Sequence, residues 1–176
     1  MQLPAIRRMA DHPMGRRRSM TNQAILESKK VLVVDDEPDI LESIEEALEN
    51  CQVDTASDYE SAEQKLKSNT YDIVVLDIMG VNGYELLSVA NELRVPAVML
   101  TAHALSADNF ARSMDEGACA YLPKEKLSDI EVFLADVLSE GPKMCGMLGR
   151  WYERLKDYFE SKFGPDWLAE YRGTRH

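Results

Sequence analysis

The sequence predicts an α/β protein: a doubly wound, five-stranded parallel sheet of order 2-1-3-4-5 with a C-terminal helix added. Three observations carry this. Short apolar runs such as Val31–Val34 and Ile73–Leu76 show no polar alternation, as expected of strands buried on both faces of a parallel sheet. Segments of helical period separate these runs, so the chain reads as five βα units in series. The runs also end abruptly in polar residues, and in an open parallel sheet ligands sit just beyond the carboxyl ends of the strands.

The elements follow in order. Val31–Asp35 is strand one, and Pro38, a favoured first helical residue, opens helix one to Asn50. Ile40, Leu41, Ile44, Ala47 and Leu48 form its inner face. Gln52–Ala56 is a short strand two. Ser57-Asp-Tyr-Glu60 has the pattern of a capping box and opens helix two to about Lys67, with Tyr59, Ala62 and Leu66 inward. Strand three ends at Asp77. Helix three is Tyr84–Leu93, with Leu86, Leu87 and Ala90 as its core face. Ala97–Thr101 is strand four, and Ser106–Glu116 is helix four, stopped by Gly117. Cys119–Leu122 is strand five, and a second capping-box pattern, Ser128-Asp-Ile-Glu131, opens helix five to about Ser139. In this flavodoxin-like order strands one and three are neighbours, so Asp35, Asp36 and Asp77 meet at the switch point.

Composition narrows the function. Apolar residues make up 45% and charged residues 29%, as in a soluble globular protein. A net charge of −11 argues against general nucleic-acid binding, which needs a basic face. No apolar run approaches the roughly 18 residues of a membrane span. Cys51, Cys119 and Cys145 match no metal or disulfide spacing and read as the reduced thiols of a cytoplasmic protein. Residues 1–28 carry Arg7, Arg8, Arg16, Arg17 and Arg18 without the apolar core of a secretory signal. They read as a disordered leader, with Met20 as an alternative start and Ala24–Ser28 able to add a helical turn.

The strand ends define a chemistry. Several carboxylates in one place repel and call for a cation, and hard oxygen ligands with no nearby His or Cys suit Mg²⁺. Thr101-Ala102 and Pro123-Lys124 lie at two further strand ends. A carboxylate cluster, a hydroxyl and a lysine together fit one task, holding Mg²⁺ and a phosphoryl group. Singly, each has a plainer reading: a turn-starting Asp, a β-branched strand end, a surface Lys.

From roughly Lys29 to Glu140 the chain resembles the receiver domain of two-component response regulators. The resemblance rests on Asp35-Asp36, Asp77, Thr101-Ala102, and Lys124 with Tyr121 three residues before it. It implies Asp77 as phosphoacceptor and nucleophile, and Asp35, Asp36, Asp77 and the Met79 backbone carbonyl around Mg²⁺. It implies Lys124 and Thr101 as phosphoryl partners, with the backbone N–H groups of Ile78 and Ala102 as further donors. Thr101 and Tyr121 match the family's switch pair, in which the hydroxyl moves toward the phosphoryl group and the ring turns inward. A histidine kinase or phosphotransfer protein is the implied donor, and a downstream protein the implied target. The chain is then a signalling phosphoacceptor, not a turnover enzyme. The competing readings are a Mg²⁺-dependent phosphohydrolase and a docking receiver that is not phosphorylated. The first commonly places an acidic residue where this chain has Met79. The second would have lost an acid or the lysine.

Two departures from the family pattern stand out. The loop after Asp77, Ile-Met-Gly-Val-Asn-Gly83, is about two residues short, and its glycines suggest a tight turn with positive φ. Glu125, not Pro, follows Lys124, which makes a cis bond there improbable.

Gly141-Pro142 separates residues 29–140 from a helical extension over 141–176. Met147, Leu148, Trp151, Leu155, Tyr158, Phe159 and Phe163 recur at helical steps until Gly164-Pro165, and Trp167, Leu168 and Tyr171 mark a last turn. An isolated helix of this length is marginal in water, so the stripe must pack on something. It meets either the receiver's own helices four and five, the face such regulators use for output, or its copy in a second subunit. A homodimer through Met147–Phe163 is the expectation carried forward.

Overall fold

The computed structural model describes residues 22–173. Its strands are β1 (Lys30–Val34), β2 (Gln52–Ala56), β3 (Ile73–Asp77), β4 (Ala97–Thr101) and β5 (Ala120–Pro123). All pair in parallel, in the order β2-β1-β3-β4-β5. Every residue of β3 and β4 is buried, as the unbroken apolar runs require, while β2 at the edge alternates in exposure. The helices are α1 (Pro38–Ala47), α2 (Tyr59–Ser68), α3 (Gly83–Glu92), α4 (Ala107–Asp115), α5 (Ile130–Glu140), α6 (Arg150–Phe163) and α7 (Trp167–Gly173). Helix α1 packs beside α5, and α2 beside α3. Among the described residues no helix is long and apolar enough to cross a membrane.

Local chemistry sets several boundaries differently from the sequence reading. Asp58, not Ser57, caps α2, accepting the Ser61 N–H at 2.8 Å. Ser128 caps nothing. A 3-10 turn over Lys124–Asp129 leads directly into α5. Ser106 does cap α4, accepting the Asn109 N–H at 3.1 Å, and Gly117 ends that segment at φ +91°. The folded part begins before residue 29. Residues 22–26 are helical, Leu26 is buried, and the Ser28 N–H donates to Asn50 O at 3.0 Å. The arginines and Met20 assigned to the leader lie outside the described residues.

The cysteine reading is also corrected. Cys119 and Cys145 form a disulfide, and only Cys51 is free among the described cysteines. Their separation of 26 residues gave no hint, because the contact depends on how the linker after α5 folds back.

The extension packs in cis. Phe110 of α4 is its hub, with ring centroids 6.0 Å from Trp151, 6.2 Å from Tyr152, 5.2 Å from Phe159, 4.9 Å from Trp167 and 5.6 Å from Tyr171. Trp151, Leu155 and Phe159 of the stripe are buried by this packing and are not offered to a second subunit. Burying one such side chain stabilises by about 1.5–3 kcal/mol, which explains why so short a helix holds. A charged clamp fixes the register: Arg154 donates to the buried Asp136 of α5 through Nε at 2.6 Å and Nη2 at 3.1 Å.

Phe110→Ala should therefore cost about 3–5 kcal/mol of stability. Denaturant unfolding followed by tryptophan emission will check this, since Trp151 and Trp167 both touch the ring. A loss under about 1 kcal/mol would be that of an ordinary surface site.

Candidate functional site

The site lies where β1 and β3 end side by side. Val34 pairs with Leu76, so Asp35 and Asp77 emerge together at the carboxyl edge of the sheet. Both carboxylates are buried, while Asp36 and Glu37 are exposed. Lys124, one residue beyond β5, reaches across β4 to them. Its Nζ stands 2.8 Å from Asp35 Oδ2, 2.8 Å from Glu37 Oε1 and 3.4 Å from Asp77 Oδ1. The Glu37 N–H donates to Asp35 Oδ1 at 2.9 Å, which fixes that carboxylate.

The electrostatics follow from burial against pairing. Burial, reinforced by the nearby Asp35 charge, pushes the Asp77 pKa up to about 7, and the Lys124 cation offsets only part of it. Burial also raises Asp35, despite its hydrogen bond from Lys124. For Lys124 burial acts in the opposite sense. Hydrogen bonds to Asp35 and Glu37 and the charge of Asp77 outweigh it, so the ammonium is held above the ordinary lysine value. One half-buried cation thus faces three carboxylates, which leaves an excess of negative charge.

The residues fit a hard divalent ion. Asp35, Asp36 and Glu37 each bring a carboxylate oxygen within 4.8 Å of the others. Gly80, at φ +85°, makes room for the Asp36 carboxylate: a Cβ there would stand 2.6 Å from its Oδ2. Glu37 was absent from the expected site residues, although the acidic run Asp35-Asp36-Glu37 was visible. Its contact with Lys124 depends on a strand end far away in sequence.

The short loop has a specific consequence. Gly80 takes the positive φ expected of a tight turn, but Gly83 does not. Gly83 instead starts α3 pressed against the end of β3, where a Cβ would sit on the Asp77 carbonyl oxygen. Met79, just before Gly80 in this loop, is exposed.

Other expected residues are partly relocated. The Ile78 N–H is not a free donor, because it bonds to Leu100 O at 3.1 Å and extends the parallel ladder one step past β3. Thr101 ends β4, buried, and its hydroxyl makes no hydrogen bond of good geometry among the described residues, although it lies near the Tyr121 hydroxyl. Ala102 follows it at an exposed bend. The Lys124–Glu125 bond is trans. Tyr121 is fully buried and points inward. Its hydroxyl donates to Ala104 O at 2.8 Å and accepts the Ser106 N–H at 3.3 Å, and its ring meets Phe110 at 5.3 Å and Phe159 at 6.1 Å.

Comparison with known proteins identifies the family. The model of the response regulator receiver domain matches residues 31–134. The chain belongs to the response regulator receiver family. Response regulator ArlR of Staphylococcus saprophyticus is 35% identical over 113 residues, which are 61% of this chain and 50% of that protein. Two-component response regulator ARR18 of Arabidopsis thaliana is 34% identical over 101 residues, 54% of this chain and 16% of that one. The chain thus spans half of the one relative and far less of the other. The solved receiver domain (CheY-like) from Methanospirillum hungatei is similar with a TM-score of 0.55 and 28% identity, over 65% of this chain and all of that one. A receiver domain from Clostridium thermocellum gives 0.56 and 29%, over 64% and 95%. The protein is therefore a receiver of two-component signalling.

The raised Asp77 pKa has a sign that can be tested in metal-free protein. The folded receiver holds the Asp77 proton more tightly than the unfolded chain, whose value is near 3.8. That contribution is full below 3.8 and is lost as pH rises through about 7. Asp77→Asn keeps a neutral group at all pH, so its stability relative to wild type should improve from pH 4 to about pH 7 and level off above that. Urea midpoints across that range, in chelator, provide the measurement, and a difference that does not vary with pH contradicts the shift.

Proposed function

We propose that this receiver accepts a phosphoryl group on Asp77 from a phosphohistidine of a histidine kinase or phosphotransfer protein, in a Mg²⁺-dependent reaction, and that the change switches protein–protein contacts. The observation that carries this reading is the buried Asp77 carboxylate at a strand end, 3.4 Å from Lys124 and beside the Asp35 cluster. An Asp77 oxygen attacks phosphorus, a P–O bond forms, the P–N bond of the donor breaks, and the imidazole leaves. Transfer of this kind is largely positioning and charge neutralisation.

Asp35, Asp36 and Asp77, with the Met79 carbonyl, are the groups we assign to Mg²⁺, and Glu37 lies close enough to contribute. When bound, the ion neutralises charge on the transferring oxygens. Lys124 is already close to Asp77 and supplies the protein's own cation. The Thr101 hydroxyl, buried and without a well-formed hydrogen bond among the described residues, is a donor able to turn to a phosphoryl oxygen, and the Ala102 N–H is a second. Ile78 drops out of this set, since its N–H is spent on Leu100.

Incubation with acetyl phosphate and Mg²⁺ should add one phosphoryl mass to the intact protein, and chelator should prevent it. Asp77→Ala should abolish uptake, and full labelling of that variant would refute the assignment. Asp36→Ala should raise the Mg²⁺ concentration needed by about tenfold or more.

Loss of the phosphoryl group should be slow. Hydrolysis needs a water aligned by polar neighbours, and position 79 offers an exposed, apolar Met. Met79→Asn should shorten the phosphoryl lifetime, followed by intact mass against time. An unchanged lifetime of seconds would remove Met79 from the explanation.

A further inference from the structure

The Cys119–Cys145 disulfide lies apart from the phosphoryl site. Cys119 immediately precedes β5, whereas Lys124 follows its other end. Cys145 lies in the linker between α5 and α6, just after a 3-10 turn over Pro142–Met144. Three ties hold this linker. One is the disulfide. Another is the Gly146 N–H donating to Ala118 O at 2.8 Å. The third is Glu140, whose Oε1 accepts the Arg150 N–H at 2.7 Å and its Nε at 3.0 Å. Beyond these ties α6 lays Trp151 and Phe159 on Phe110, and Phe159 on Tyr121.

The two sulfurs are unequally protected. Cys119 is buried and Cys145 is half-buried. Both line a surface depression of about 310 Å³ together with Asn91, Arg94, Pro96 and Gly117, so the bond faces a cleft and not the core. Cys51 is elsewhere, its Sγ donating to Leu26 O at 3.4 Å, and takes no part.

We propose that the Cys119–Cys145 pair is a redox site that latches the C-terminal extension onto α4 and β5, and that a dithiol reductant opens it. A thiolate of the reductant attacks the more accessible Cys145 sulfur, and Cys119 leaves as a thiolate. The second thiol of the reductant then resolves the mixed disulfide. One S–S bond breaks in the protein and one forms in the reductant, and the two protons of the dithiol end on Cys119 and Cys145. The cross-link spans 26 residues, so opening it returns chain entropy to undocked states of α6 and α7. The sheet does not depend on the bond, because Cys119 enters β5 already held by its N–H to Ala97 O at 2.8 Å. Undocking bares Phe110 and the Tyr121 ring, an apolar face that the extension covers in this structure.

The test uses the full chain and needs no phosphodonor, so its failure is separate from failure of the phosphorylation reading. The protein is equilibrated with oxidised glutathione or with dithiothreitol. Thiols are counted by alkylation and mass, and amide exchange is followed by region. Oxidised protein should show Cys51 as its one free thiol, and reduced protein all three. On reduction the amides of Arg150–Phe163 should exchange at least about tenfold faster, with the amides of β1, β3 and β4 unchanged. Cys145→Ser should behave as reduced protein in both buffers. Failure of the bond to form in oxidised glutathione overturns the proposal, as does equal protection of α6 in the two states. If the sheet amides lose protection together with α6, the bond supports the whole fold, and the latch is overturned as well.

Discussion

One half-buried ammonium organises the carboxyl edge of this sheet. Lys124 has only a small part of its side chain exposed, and its three anionic neighbours come from the ends of β1 and β3. Removing such a cation would leave Asp35 and Asp77 charged and unpaired in a poorly solvated place, a strongly unfavourable state. The dependence runs both ways. A lysine aimed into a sheet edge is costly unless carboxylates meet it, so the ends of β1, β3 and β5 are constrained as a set. The cluster nevertheless keeps an excess of negative charge. This leaves Asp77 with a raised pKa and makes the site receptive to a further cation.

How much of this the sequence showed depends on the range of the interaction. Val31–Val34 and Ile73–Leu76 announced buried parallel strands because periodicity is local. The acids at their ends could be placed together once the strand order was assumed. Helix starts were less legible. Ser57 and Ser128 have capping-box partners at the right spacing, but Asp58 won the first competition, and a 3-10 turn from Lys124 displaced the second. A capping residue acts from an extended backbone conformation of its own, as Asp58 does, and that depends on how the chain leaves the strand. The fate of Ile78 has a similar cause. Its N–H seemed available by position, yet the neighbouring strand was long enough to take it.

Long-range pairings were not legible at all. Cys119 and Cys145 meet because α5 returns the chain to the start of β5, a matter of three-dimensional path and not of spacing. The aromatic stripe was plain in the sequence, but its partner was not. Nothing local to Phe110 distinguishes it from Leu86 or Ile44. Only the fold shows that a large apolar ring at that point completes a surface for α6 and α7. The stripe is therefore satisfied within one chain, and the expected homodimer through Met147–Phe163 has lost its main apolar contact.

The extension and the phosphoryl site meet at one residue. Phe159 packs on the Tyr121 ring, while the Tyr121 hydroxyl is held by Ala104 and Ser106 in the segment that follows Thr101. With the extension docked, outward rotation of Tyr121 would require Phe110 and Phe159 to repack, so docking favours the inward ring. If phosphoryl transfer also draws Thr101 toward Asp77 and favours the inward ring, docking and phosphorylation each stabilise a state that the other prefers. Such coupling is reciprocal by thermodynamic necessity. Its strength is limited by how much the docked and undocked states differ in their contacts with Tyr121, which reduces here to two rings, Phe110 and Phe159, and two hydrogen bonds. If Asp77 is phosphorylated as proposed, the extension then biases Tyr121 toward its inward state, and whatever loosens the extension weakens that state.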